Sequence, residues 1–268
     1  MFLPGQMGHC DHRHNAGKEQ PVPLSEGCCA ANSPAQLAWP VLRAKGRAAL
    51  TSVPVDEDAR ALQEIGTKLR IARNETIFSQ GEAVTYAYKV VSGVVRLCKH
   101  MSDGRRHIAQ FAFPGDFFSM TESERHNFTA EAVTGVVLMC YAQGRLAALR
   151  DARPTICQRL VGMLSRNLCR LENHLTVLGR QNAKERVASF LLYLAEHVGC
   201  EQDDVVDAPM SRHDIADYLG LTKETVCRVI SELRCERVIE TPNARQFVLL
   251  DLDALHALAD GEHYLAAA

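Results

Sequence analysis

Residues 211–234, SRHDIADYLGLTKETVCRVISELR, restrict the fold of this chain more than any other stretch. They read as two short helices joined by a tight turn. Ser211 is placed to cap the first helix, with Asp214 three residues on as the reciprocal acid of a capping box. Ile215, Ala216 and Leu219 form that helix's inner face, and Gly220 supplies the left-handed residue that ends it. Thr222 caps the second helix, where Val226, Val229, Ile230 and Leu233 recur at helical spacing. Two helices that cross closely need a small side chain at the crossing, and Ala216 supplies it. Ala216, Gly220, Val226 and Val229 stand at the separations of a helix-turn-helix.

This arrangement leaves Lys223, Glu224, Cys227 and Arg228 on the outer face of the second helix, near its N-terminus, where such motifs reach base edges. Arg228 can bond O6 and N7 of a guanine bidentately, and Glu224 can accept from N4 of a cytosine. The small body of Cys227 suits a thymine methyl, and oxidation of its thiol would put a bulkier group in the groove, which makes it a candidate redox switch. Arg212, Thr222, Lys223, Arg234 and Arg245 are the expected phosphate contacts. An ordinary helical hairpin with solvated charges is the alternative; four matched positions favour DNA. The net charge of −2 does not point to nucleic acid, so the case rests on local geometry.

The run GLTKETVCR resembles the recognition helix of the Crp/Fnr family of bacterial transcription regulators, most nearly its FixK-like branch. The resemblance implies a homodimer on a palindromic operator with TGA-like half-sites. Glu224 and Arg228 match the family's base-reading pair. Cys227 departs from it, because the Fnr and FixK branches carry Ser there and the Crp branch Gly, so the outermost half-site base is left open. The resemblance further implies an activator working with RNA polymerase in low-oxygen or nitrogen-oxide responses.

The rest of the chain fits that architecture. The fold expected is α+β: a disordered N-terminal extension over residues 1–50, a jelly-roll barrel (a double-stranded β-helix like that of cyclic-nucleotide-binding domains) over 51–150, a dimerisation helix over 151–179, and a winged helix-turn-helix over 180–268. A helix is expected over 55–69. Short β-rich runs at 75–78, 86–92, 94–100, 107–113 and 130–140, separated by Gly and Asp turns, predict the barrel. IFSQGEAVTYAYKVVSGVVRL with a later FPGDFF resembles the family's sensor barrel. Pro154 opens the long helix, on which Leu164, Leu168, Leu171, Leu175 and Leu178 alternate at spacings of four and three, the pattern of a parallel dimer seam. Gly179 is expected to end it. Val187, Phe190, Leu191 and Leu194 should pack under the reading helices. Residues 199–207 read as an acidic loop, 238–240 and 247–250 as a wing hairpin, and 253–268 as a short helix and tail.

Cofactor chemistry finds little support. The segment FFSMTESERHNFTAEAV lacks the Gly-Glu pair and the Arg-Ser/Thr pair that hold a cyclic nucleotide in the resembling domains, since Arg125 precedes His126. An oxygen-sensing iron–sulfur cluster would have to draw on Cys10, Cys28, Cys29 and Cys140, a poorly matched set of four thiolates. Haem would need His100, His107 or His126 as axial ligand. No cofactor is expected, and most of the ten cysteines should be small buried hydrophobes; Cys235, one turn beyond the contact zone, reads as structural. There is no nucleophile–base pair, Gly-rich phosphate loop or metal-ligand spacing to make an enzyme. A ligand-binding regulatory module on the barrel is the remaining alternative class. No apolar run approaches the roughly 20 residues that span a bilayer and no secretory signal opens the chain, so a cytoplasmic protein without membrane association is expected.

Overall fold

The computed structural model describes residues 57–121, 123–198 and 205–261. The expected N-terminal extension, with Cys10, Cys28 and Cys29, lies outside them. Helix α1 (Glu57–Ile65) leads into strand β1 (Gly66–Ile71). The helix expected over 55–69 thus stops early: β1 pairs antiparallel along β8 from Gly66 opposite Tyr141 to Ile71 opposite Val136. A Cβ on residue 66 would come within 2.6 Å of Met139 Sδ, which explains glycine at the junction.

Eight strands build the barrel: β1, β2 (Thr76–Phe78), β3 (Tyr86–Ser92), β4 (Val95–His100), β5 (Arg106–Ala112), β6 (Phe117–Phe118), β7 (Thr129–Ala132) and β8 (Val136–Ala142). They form two antiparallel sheets, ordered β1-β8-β3-β6 and β2-β7-β4-β5. Phe78, Tyr88, Val90, Val95, Leu97, Phe118 and Leu138 fill the space between them. The run expected as one strand over 130–140 is two, because the chain crosses between sheets at residues 133–135. There the Thr134 hydroxyl accepts from the Val94 amide at 3.0 Å.

Helix α2 (Gln143–Ala152) is followed by α3 (Pro154–Arg180), with Pro154 in its first turn as expected. It runs through Gly179 and stops at Gln181, whose extended backbone ends it. Then come α4 (Ala183–Val198), β9 (Val205–Asp207), α5 (Arg212–Leu219), α6 (Lys223–Cys235), β10 (Ile239–Asn243), β11 (Gln246–Leu249) and α7 (Leu252–Ala259). The wing is a three-stranded sheet, β10-β11-β9. Its third strand falls in what the sequence offers as an acidic loop: Val205 and Val206 pair with Val248 and Phe247. Its hairpin is tighter than expected, with only Ala244 and Arg245 between the strands.

One apolar core joins the two halves. Cys98, Ile108, Phe111 and Phe113, on the barrel's outer face, share a cluster with Phe190, Leu194, Ile215, Leu219 and Leu233. At this junction His174 of α3 is buried, its ring stacked on Tyr218 at 3.9 Å. Burial, with His107 and Arg186 nearby, pulls its pKa down to about 4, although a hydrogen bond to the Tyr218 backbone opposes the fall. An unfolded histidine titrates near about 6.5. The native state therefore binds fewer protons between these values. The stability this site contributes is complete above the unfolded pKa and is lost as pH falls through that window towards 4. Denaturant midpoints should drop across it. In His174→Phe, which keeps the ring stack, the drop should be shallower but not abolished, because burial also lowers His126 and His197. An unchanged slope would remove His174 from the account.

Candidate nucleic-acid interface

The reading helix is built by local chemistry. Ser211 Oγ accepts from the Asp214 amide at 3.1 Å, and Asp214 Oδ2 accepts from the Ser211 amide at 3.0 Å, closing the capping box at the start of α5. Gly220 ends α5 at φ 63°. Thr222 Oγ1 accepts from the Thr225 amide at 3.2 Å and starts α6. Ala216, Val226 and Val229 are buried where α5 and α6 cross.

Every residue expected to read bases is exposed on one face of α6: Glu224, Cys227 and Arg228. The backbone amide of Glu224 and the Thr222 hydroxyl hold its carboxyl below the ordinary range, so it stays an ionised acceptor. Arg228 Nη1 donates to Glu232 Oε1 at 3.2 Å, one turn along the helix, with 66% of its side chain exposed. Lys223, Arg234 and Arg245 are exposed as well. Arg212 has a different setting. Its guanidinium lies 4.4 Å over the Phe247 ring, with Nη1 buried and without a hydrogen-bond partner. It braces the wing against α5, a packing role that the sequence does not announce.

Sequence reasoning missed Arg186. Its guanidinium donates to the carbonyls of Gln181 at 2.9 Å, Leu219 at 3.0 Å and Leu178 at 2.8 Å, tying the end of α5 to the end of α3. A lone Arg early in a helix carries no signal of such a role.

Helix α3 carries an exposed apolar stripe that overlaps the residues expected for a seam. Val161, Leu164, Leu168, Leu171 and Leu175 are exposed at alternating spacings of three and four. Leu178 continues the period but is only partly exposed, and its Cδ2 lies 3.8 Å from where a Cβ on residue 220 would sit. It packs at the helix-turn-helix turn, so Val161 replaces it at the other end of the stripe.

A half-open cavity of about 220 Å³ lies in the barrel, lined by Phe78, Leu97, Phe117, Phe118 and His126 together with Leu164 of α3. His126 stacks on Phe78 at 3.6 Å and meets Ser119 Oγ at 3.2 Å. Burial lowers its pKa, so it offers no cation at neutral pH. Arg125 Nη1 donates to the Gly81 carbonyl at 2.7 Å and does not line the cavity. These residues do not fit a cyclic nucleotide, whose phosphate needs a cation. His107, another expected haem candidate, instead places Nδ1 3.1 Å from the Asp217 carbonyl oxygen. His100 is exposed. Burial pushes the thiol of Cys140 up to about 11. Among the described cysteines, Cys98 and Cys140 are buried, but Cys169, Cys227 and Cys235 are exposed. This corrects the expectation of burial among the described cysteines: Cys235 follows the last inward position of α6, Leu233, and turns to solvent. No helix among the described residues is long and apolar enough to cross a membrane.

Comparison with known proteins agrees with this geometry. Residues 185–258 match the Crp-like helix-turn-helix domain, and residues 68–153 match the cyclic nucleotide-binding domain. The nitrogen fixation regulation protein FixK of Azorhizobium caulinodans is 42% identical over 212 residues, covering 77% of this chain and 86% of that one. The transcriptional activatory protein AadR of Rhodopseudomonas palustris is 35% identical over 186 residues, covering 68% and 77%. The structure of FixK2 from Bradyrhizobium japonicum superposes with a TM-score of 0.69 at 36% identity, covering 72% of this chain and 97% of that one. The chain belongs to the Crp/Fnr family of DNA-binding transcription regulators, on its FixK-like side, and is not an enzyme.

Proposed function

We propose that two copies of this chain join through the α3 stripe and read a palindromic operator with TGA-like half-sites, activating transcription with RNA polymerase in a low-oxygen or nitrogen-oxide response in the cytoplasm. The observation that carries the reading is the coexistence of two exposed surfaces: the Val/Leu stripe of α3 and the Glu224–Arg228 face of α6. A two-fold pairing of the first presents two copies of the second to half-sites about one DNA turn apart. FixK-named relatives supply the nitrogen-fixation setting.

The regulator works without a cofactor of its own in this reading. Support comes from the chemistry of the candidate ligands. A cluster needs about four convergent thiolates, and the sequence offers a lone Cys10, an adjacent Cys28–Cys29 pair and Cys140, which lies buried on β8. Redox control instead falls on Cys227, exposed on the reading face.

Selection of bound sites from random double-stranded DNA, with reduced and with peroxide-treated protein, tests the whole reading. Inverted repeats with a fixed spacer are expected from reduced protein, and weaker recovery after peroxide. Cys227→Ser should recover the same repeats after either treatment. Single, unpaired motifs would refute the dimer. Equal peroxide losses by the two proteins would clear Cys227.

A further inference from the structure

Helix α5 is clamped to its own barrel by charge. Asp214 and Asp217 lie on its barrel-facing side. Arg106 of β5 donates from Nη2 to Asp214 Oδ1 at 2.6 Å and from Nε to Asp217 Oδ2 at 2.7 Å. Arg96 of β4 donates from Nη1 to Asp214 Oδ1 at 3.1 Å and from Nε to Glu131 Oε2 of β7 at 2.8 Å. The five side chains are only 6–18% exposed. Burial alone would raise the Asp214 carboxyl, but the Ser211 hydroxyl and amide and both guanidiniums outweigh it and hold it below the ordinary range. Asp214 thus divides its oxygens: Oδ2 caps α5, and Oδ1 takes the barrel's two cations.

The clamp matters because of what α5 carries. Its other side crosses α6 at Ala216, so fixing α5 on the hairpin of β4 and β5 fixes the direction of the reading helix. The barrel also holds α3: Arg170 Nη1 donates to Asp116 Oδ1 at 2.8 Å. One rigid path therefore runs from seam to reading helix through the barrel. Each guanidinium bridges two carboxylates, Arg96 those of Asp214 and Glu131 and Arg106 those of Asp214 and Asp217, and such charge-assisted hydrogen bonds are directional, which a purely apolar contact between α5 and the sheet would not be.

We propose that Arg96, Arg106, Asp214 and Asp217 are positioning residues that set which half-site spacing the dimer accepts. The proposal rests on the dimeric operator reading above. Changing the spacer by one base pair rotates one half-site by about 35° and shifts it by about 3.4 Å, so a dimer with fixed arms loses simultaneous engagement.

The test compares full-length protein on operators with the selected spacer and with spacers one base pair shorter or longer. The wild type should bind the altered operators at least about tenfold more weakly. In Arg106→Gln/Asp217→Asn, which leaves Asp214 with its cap and with Arg96, affinity at the selected spacing should fall about tenfold, and the penalty for altered spacing should shrink to about two- to threefold. A folded, dimeric double variant with the wild-type spacing penalty overturns the proposal, because general weakening would leave that ratio unmoved. Asp217→Asn alone, which keeps both guanidiniums paired, is the second arm should the double variant not fold. The same flattening in smaller degree is expected, and an unchanged ratio overturns the idea. If the wild type itself shows no spacing preference, the dimeric reading fails first.

Discussion

Leu168→Glu/Leu175→Glu will leave a folded chain that no longer pairs and no longer holds a two-half-site operator. Within one chain both side chains already face water, 57% and 68% exposed, so the substitutions remove little packing from the fold itself. In a parallel dimer the same positions meet their own copies across the seam. Fully burying a leucine is worth about 1.5–3 kcal/mol, so four of them contribute roughly 6–12 kcal/mol, comparable with the whole of about 8 kcal/mol that holds a micromolar complex. Four carboxylates would replace them, each meeting its like. Operator affinity then falls to that of a single reading head, a loss on the order of 10²-fold or more. Sedimentation should report a monomer with an unchanged circular dichroism spectrum. A variant that still sediments as a dimer and binds the operator would mean that α3 is not the seam. Leu178→Glu supplies the contrast: packed beside Gly220, it should disturb the helix-turn-helix more than the pairing.

That contrast also shows where the sequence stops being informative. The helix-turn-helix is legible because its signals act between near neighbours: a cap, its reciprocal acid, a left-handed glycine and an alanine at the crossing. The structure keeps each of them. The apolar stripe of α3 is legible as a period, but a period does not say what covers each position, so Leu178 reads as part of it although the turn of the DNA-binding domain lies against it. The apolar run over 130–140 hides a change of sheet, for which only Thr134-Gly135 stands as punctuation. Strand β9 hides inside an acidic stretch because its two valines gain their partners from the wing, some forty residues later. The clamp is least legible of all. Asp214 announces itself as a cap, and its second role depends on Arg96, 118 residues away. Long-range ion pairs leave no trace in local spacing; the one available hint is an arginine in each of two adjacent barrel strands, where alternation points outward.

Arg228→Ala should cost about 1–3 kcal/mol of operator binding, roughly 5- to 150-fold, with the loss concentrated at one guanine. The fold gives no reason to expect a stability effect of that size. The guanidinium is largely exposed, and its bond to Glu232 is an i,i+4 surface pair worth about 0.3–0.5 kcal/mol. That weak pair lets the side chain exchange Glu232 for the O6 and N7 of a base at little cost, while its planar fork arrives already shaped for both acceptors. Glu224, kept ionised one turn earlier, gives the neighbouring base a pure acceptor. The decisive measurement is affinity for four operators differing only at the guanine. The wild type should separate them, and the variant should bind all four alike. Lys223→Ala should behave differently, weakening all four equally and lowering the salt slope by about one. Were Arg228→Ala instead to reproduce the lysine pattern, Arg228 would be a phosphate contact, and the base-reading role would pass to Glu224 and Cys227 alone.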